Sequence, residues 1–314
     1  MIGCAAKRIP QPEARKKEMQ FTKMQGAGND FVMLDATQKP FALSPERIRA
    51  LCDRRFGVGC DQLLVVEKSL LPNVDFKYRI FNCSGGEVEM CGNGARCFAV
   101  FVRELGLTDK KDIACETMRG IIRPHIEDDG TVTVDMGEPC FAPADVGLLE
   151  TELEQRAEGV ATLYKISAGG VDNWLSIVSM GNPHAVRIVE NVDTDLVQAV
   201  GGALQQTPLF AQQVNVGFLQ IVDRREVKLR VYERGAGETL ACGTGACAAV
   251  VSGIRRGLLE ADVLVHMRGG DIRVRWDGQG ADGAAAHVYL SGPAVTVFKG
   301  EIDPEAIELP QADF

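Results

Sequence analysis

Asn82-Cys-Ser-Gly-Gly-Glu-Val-Glu-Met-Cys91-Gly-Asn-Gly-Ala95 and Glu233-Arg-Gly-Ala-Gly-Glu-Thr-Leu-Ala-Cys242-Gly-Thr-Gly-Ala246 are two versions of one pattern. In both, a cysteine is followed by Gly-x-Gly-Ala. A glutamate stands four residues before it (Glu87, Glu238) and a glycine five before (Gly86, Gly237). An apolar run follows each, Cys97-Phe-Ala-Val-Phe-Val102 and Cys247-Ala-Ala-Val-Val251, and Gly106 and Gly257 stand where C-caps would end the two helices. Each copy therefore reads as a thiol on a glycine turn at the start of a buried helix. A helix start leaves unpaired N–H groups pointing outward, and glycine lets them come close to a ligand. That makes an anion site with a thiol beside it. Two copies point to two thiols facing one ligand from two halves of the chain. The competing reading is a pair of glycine-capped core helices with buried, inert cysteines.

The duplication extends outward. Asn29 precedes Cys91 by 62 positions and Asn182 precedes Cys242 by 60; Gln62 precedes Cys91 by 29 and Asn215 precedes Cys242 by 27. A turn asparagine, a strand amide and a cysteine turn recur in one order. Each half is too long to be a solenoid unit, so this is one duplicated domain.

Around these marks the chain alternates short strands with few helices. Gly26–Phe31 is a tight turn before a strand at Phe31–Asp35. Ser44-Pro45-Glu46 opens a helix with serine as N-cap, and Gly57 is expected to end it. Strands are expected at Leu63–Glu67, Tyr78–Phe81, Thr131–Asp135, Leu175–Ser179, from Val214, and at Val227–Tyr232, Asp271–Trp276, Ala286–Leu290 and Ala294–Phe298. Met180–His184 reads as a turn, Asp193–Gln205 as a helix, and Pro139–Pro143 as a crossover. The fold class is α/β (α+β), with residues 19–138 as an N-terminal domain, completed by 291–314, and 139–290 as a C-terminal domain.

Composition narrows the function. The chain has 314 residues and a formal net charge of −9. No basic run occurs past the first 17 residues, which argues against nucleic acid, and no apolar stretch is long enough for a membrane span. The 10 cysteines include no Cys-x-x-Cys and read as reduced thiols of a cytoplasmic protein. Residues 1–18 carry Lys7, Arg8, Arg15, Lys16 and Lys17 with Pro10 and Pro12, and read as a disordered extension before Met19. Gly278-Gln-Gly280-Ala-Asp-Gly283 fits G-x-G-x-x-G but joins two strands, so it is a hairpin loop and no dinucleotide site. The cysteine spacings match no common zinc motif. No metal or cofactor is expected.

With these residues assembled, the chain resembles the diaminopimelate epimerases, of the cofactor-independent amino-acid racemase family. The matching stretches are Gly28–Val32, Arg54–Gln62, Phe81-Asn82, Cys91–Cys97, Gly181–His184, Val214–Gly217, Tyr232–Thr239 and Ala241–Gly245. The resemblance implies two pseudo-symmetric domains, each a curved, mostly antiparallel sheet around a central helix, closing on substrate between them. It implies inversion at one α-carbon of LL-2,6-diaminopimelate to the meso form, in the supply of lysine and peptidoglycan precursors. Cys91 and Cys242 would act as base and acid, with His184 and Glu233 tuning the thiols. The backbones of Gly92, Asn93, Gly243 and Thr244 would hold the reacting carboxylate, and Asn29, Gln62 and Glu233 the ammonium. Arg234 would bind the distal carboxylate bidentately, aided by Asn82, Asn182 and Asn215. Thr244 stands where many members have serine. Phe298 matches a dimer contact, so a homodimer is expected. The alternatives are another isomerase of this fold and a cysteine-based redox or metal protein.

Overall fold

A computed structural model of the chain describes residues 18–149, 152–193, 196–278 and 286–308. The expected disordered extension, apart from Glu18, and most of the loop at Gly278–Gly283 lie outside these residues. The described helices are α1 (Pro45–Cys52), α2 (Gly92–Glu104), α3 (Pro143–Val146), α4 (Leu196–Gln206) and α5 (Gly243–Arg255). The strands form one eight-stranded and one twelve-stranded sheet, each packed against one of the long helices α2 and α5. The architecture is two-domain α+β, mostly sheet.

Both halves repeat one strand logic. Asn29–Asp35 runs parallel to Gln62–Lys68 with α1 between them in sequence; Pro183–Ile188 runs parallel to Asn215–Asp223 with α4 between. The registers Phe31↔Gln62 and His184↔Asn215 bring each turn asparagine beside its strand amide. Next comes an antiparallel strand, Phe76–Asn82 or Glu226–Glu233. It pairs with a short hairpin arm, Glu87–Val88 or Gly237–Thr239, that delivers the chain to the cysteine. The hairpins are clamped alike. Arg79 holds Glu87 with Nε–Oε1 and Nη2–Oε2 both 2.8 Å, and Arg230 holds Glu238 at 2.6 and 2.8 Å. The duplicated glutamates of the sequence pattern are thus structural. Planar forks fit carboxylates two bonds at a time, which fixes the hairpin and aims the cysteine that follows.

The central helices are mostly buried, and their apolar runs from Cys97 and from Cys247 pack into the two cores. On α2, Phe98 meets Phe76 and Tyr78 edge to face at 6.0 and 5.9 Å. Truncating such a core phenylalanine costs ~3–5 kcal/mol. Around α5, Ala246, Val250 and Val251 pack on Leu229, Val263 and Val274. Two segments tie the halves together. Val132–Asp135 pairs with Tyr289–Gly292 in the second sheet while Val132 and Val134 pack in the α2 core. Val295–Ile302 then crosses to pair with Met19–Gly26 as the outer strand of the first sheet.

Several local expectations are corrected. α1 ends at Cys52, not Gly57, because the Asp53 carboxylate captures the Arg55 and Phe56 amides and turns the chain. His184 lies in a strand, not a turn, since its register with Asn215 and Val178 continues the second sheet. Of the expected strand Ala286–Leu290, only Tyr289 and Leu290 lie in the ladder, which runs on to Gly292. The crossover at Pro139–Pro143 contains a bridge, Cys140 to Ser179, and ends in the short helix α3.

Candidate active site

Cys91 is the N-cap of α2 and Cys242 the N-cap of α5. Both hold extended backbone, φ −135° and −131°, and both sulfurs accept from the amide three residues on: Gly94 N at 3.5 Å and Gly245 N at 3.4 Å. A side chain with a lone pair at this position satisfies one of the N–H groups that every helix start leaves over. The two helix starts are neighbours. A Cβ on Gly92 would fall 3.1 Å from Met136 Sδ, and one on Gly243 would fall 3.1 Å from Leu290 Cδ2 and 3.4 Å from Asn93 Oδ1. Bare glycine backbone at both places leaves N–H groups at the cleft between the halves.

Around Cys91 the first half builds a polar cradle. The thiol lies 3.5 Å from Asn29 Oδ1, which also accepts from Asn93 Nδ2 at 3.3 Å. Asn29 Nδ2 donates to Asp61 Oδ2 at 2.9 Å. Asp30 anchors this turn: Arg54 grips both its oxygens at 2.9 and 2.8 Å, and Lys23 Nζ lies 2.6 Å away. Burial alone would raise the Asp30 carboxyl. The hydrogen bonds from Arg54 and Lys23 outweigh it and hold the group well below the usual carboxylate range. Gln62 Nε2 donates to Asn82 Oδ1 at 2.9 Å on the adjacent strands.

Around Cys242 the second half builds a relay. Thr244 Oγ1 is 3.6 Å from the sulfur and accepts from Asn182 Nδ2 at 3.2 Å; Asn182 Oδ1 is 3.0 Å from His184 Nε2. Burial, with the Arg234 charge adding to it, pushes His184 down to about 3, so its ring is neutral. Its Nε2–H then donates to Asn182, and Nδ1 has no partner among the described residues. The Glu233 carboxyl contacts the Cys242 thiol and accepts from Thr239 Oγ1. Asn215 donates to Pro183 O at 3.1 Å and accepts from the Arg234 amide at 2.8 Å, which fixes the arginine's backbone at the cleft. Among the described residues the guanidinium itself makes one long bond, 3.3 Å to Gln212 O.

The two thiols are electrostatically unequal. Burial pushes both up. For Cys91 the Gly94 and Asn93 amides and the Arg96 charge oppose this, while the Glu233 charge adds to it. For Cys242 the nearby Glu233 charge adds to burial, and its sulfur stands well above the ordinary thiol range.

Most of the expected residues thus line one cleft; His184 and Asn215 are buried and reach it through Asn182 and the Arg234 backbone, and Phe298 lies on the outer strand, 47% exposed and edge to face with Phe21 at 5.8 Å. Sequence reasoning missed Asp30, Asp61 and Arg54, whose signal was charge next to glycine turns. It also missed Arg119, which pairs with Glu89 in the first half and donates to Gly181 O at 2.7 Å in the second. Among the described residues no group of His, Cys, Asp and Glu is arranged to hold a metal ion, and no helix is long and apolar enough to cross a membrane.

The chain matches the family described as diaminopimelate epimerase over residues 21–142 and 176–297. Similar relatives of that name include one from Paraburkholderia phytofirmans, 54% identical over 91% of this chain and 95% of its own. Another, from Burkholderia ambifaria, is 56% identical over 91% and 99%. Among solved structures, a phenazine biosynthesis protein of the PhzF family from Bacillus anthracis aligns with TM-score 0.64 at 18% identity, over 91% of this chain and 99% of that one. A probable proline racemase from Agrobacterium radiobacter K84 aligns with 0.65 at 14%, over 90% and 92%. At these identities the structures establish the fold alone.

Proposed function

This chain belongs to the diaminopimelate epimerase family and is an isomerase, and from that premise we propose that it interconverts LL- and meso-2,6-diaminopimelate with Cys91 and Cys242 as the base and acid. The observation that carries the assignment is the pairing of two thiols as N-caps of adjacent helices, one from each half. Inversion requires a proton to leave one face of the α-carbon and another to arrive on the opposite face. The Cys91 thiolate takes the α-proton: the C–H bond breaks, an S–H bond forms, and the electron pair spreads into the substrate carboxylate. Cys242 then gives its thiol proton to the other face and is left as thiolate. The reverse direction exchanges the roles.

An α-proton beside an ammonium and a carboxylate is weakly acidic, so charge must be stabilised as it develops. A helix start contributes only ~0.3–2 kcal/mol. Several N–H donors aimed at one carboxylate in a closed site contribute more, because they need no reorganisation at the moment of reaction. The amides of Gly92, Asn93, Gly243 and Thr244 are suited to that carboxylate. Asn29, Gln62 and Glu233 are suited to the reacting ammonium. Arg234, with Asn82, Asn182 and Asn215, is suited to the distal centre, its fork matching a carboxylate. His184 and Glu233 tune Cys242 through Asn182, Thr244 and direct contact.

The same reading takes the enzyme to be a cytoplasmic homodimer supplying lysine and peptidoglycan precursors. Exposed Val295, Val297 and Phe298 on the outer strand support the dimer. Light scattering giving a dimer mass, and a monomer mass for Phe298→Asp, tests it. For the chemistry, Cys91→Ala and Cys242→Ala are each expected to lose at least ~10²–10⁴-fold in epimerase rate. Retained activity in either variant overturns the assignment.

A further inference from the structure

Arg96 is the largest fully buried side chain of the described residues, 0% exposed, and no carboxylate among them pairs with it. Its Nε donates to Pro293 O at 3.3 Å, while Nη1 and Nη2 make no hydrogen bond among the described residues. The space around it is bounded by glycine. A Cβ on Gly26 would stand 3.2 Å from Nη2 and one on Gly292 3.4 Å from Nε. These contacts put the guanidinium between the end of strand Met19–Gly26, the end of strand Tyr289–Gly292 and the first turns of α2. The strand neighbours Gly26, Gly292 and Pro293 offer backbone only. The titratable groups whose charge bears on Arg96 are thiols: Cys97 and Cys91 on α2 and Cys247 on α5. Glu233 and Tyr78 bear in turn on Cys91.

A buried guanidinium stays charged and is costly to leave without an anion. Hydrogen bonding through one nitrogen to a carbonyl does not neutralise it. Of the thiols whose charge bears on it, the one assigned to the reaction is Cys91, the N-cap of the same helix, five residues earlier. We propose that Arg96 is a positioning residue for the proton transfer: a permanent positive charge sealed behind the start of α2, held there to favour the anionic sulfur at Cys91. It touches neither substrate nor the reacting atoms, and acts through Cys91. The proposal rests on the assignment of Cys91 as a catalytic thiol. In water-filled surroundings such a charge would be screened; behind a packed helix start it acts at low dielectric throughout the cycle.

The test separates charge from packing. Purified protein with Arg96, Arg96→Met and Arg96→Lys is treated with iodoacetamide across pH. Alkylation of Cys91 is read by peptide mapping, alongside kcat and KM. Arg96→Met is expected to move the Cys91 alkylation profile to higher pH, to slow alkylation roughly tenfold at neutral pH, and to lower kcat more than it raises KM. Arg96→Lys loses the Nε bond to Pro293 O but keeps the charge, and its profile is expected to stay near that of the parent. If Arg96→Met does not fold, Arg96→Lys decides alone: an unmoved profile supports the charge, and a profile moved to higher pH contradicts it. An unmoved profile in folded Arg96→Met overturns the proposal even where activity falls. Failure of the catalytic assignment would show differently, as full activity in Cys91→Ala.

Discussion

Thr244 stands 3.6 Å from the Cys242 sulfur and, through the same oxygen, holds the Asn182 amide at 3.2 Å. Its hydroxyl therefore joins the thiol to a neutral, buried histidine without any charged group between them. A hydroxyl hydrogen bond to a forming thiolate matters more than one to a thiol, so its effect falls on the chemical step. Thr244→Ser keeps the oxygen and is expected to retain kcat within a few-fold. Thr244→Val keeps the shape and removes the bond, and is expected to lose ~10–100-fold in kcat with little change in folding midpoint. Steady-state kinetics with paired thermal melts decides between them; equal activity of the valine variant would remove Thr244 from the mechanism.

His184 makes the fold sensitive to acid. Its ring is held at about 3 against an ordinary 6.5, so it stays neutral in the folded chain while the unfolded chain protonates it. A depressed folded-state value means the unfolded state binds more protons as pH falls. The contribution is fully present above about pH 6.5 and shrinks as pH drops from there toward 3. His184→Gln should show a shallower fall in urea midpoint over that window than the parent protein. Parallel curves for the two proteins would mean the histidine titrates normally.

Arg234 is expected to act in binding. Its backbone amide is fixed by Asn215 at 2.8 Å, while among the described residues its guanidinium makes one long hydrogen bond. Arg234→Lys keeps a point charge and loses the fork, and should raise KM about 10–100-fold with a smaller loss in kcat. A substrate analogue lacking the distal carboxylate should bind both proteins alike. A KM unchanged by the substitution would separate Arg234 from the substrate.

Gly28 is set where the halves meet. Its φ is +83°, and a Cβ there would come 2.8 Å from the Gly269 Cα of the second half. Gly28→Ala combines left-handed strain with a backbone clash and should cost roughly 1–3 kcal/mol in folding and lower activity further by holding the halves apart. Denaturant titration beside kinetics would detect both; a variant as stable and active as its parent would show that the contact yields.

The duplicated cysteine pattern was legible in sequence because glycine, cysteine and an apolar run each have one local meaning, and two copies remove the ambiguity of one. The duplication followed from the spacing of Asn29, Gln62, Asn182 and Asn215, but the parallel pairing of their strands did not, because spacing carries no strand direction. The clamps from Arg79 to Glu87 and from Arg230 to Glu238 were half-visible: the glutamates repeat in the quoted pattern, but their arginines lie one strand earlier, where an eight-residue offset carries no signal without the hairpin. Arg96 was hidden for a different reason. Arginine inside an apolar helix reads as a surface position, and only the packed structure reveals that glycines on two distant strands make room for it. The end of α1 was misread because a carboxylate cap at Asp53 stopped the helix before the glycine that usually would.

Proton transfer at the inverted carbon is the most direct test of the two-thiol account. LL-diaminopimelate is incubated with enzyme in deuterated water, and early product and recovered substrate are analysed by mass and by stereochemistry. With Cys91 taking the proton and Cys242 delivering another, the meso product should carry one deuterium at the inverted α-carbon. The recovered LL substrate should still be almost entirely protiated. Deuterium entering recovered substrate as fast as product forms would mean a single base working on one face, and product formed without deuterium would mean no exchangeable thiol takes part; either result would contradict the account.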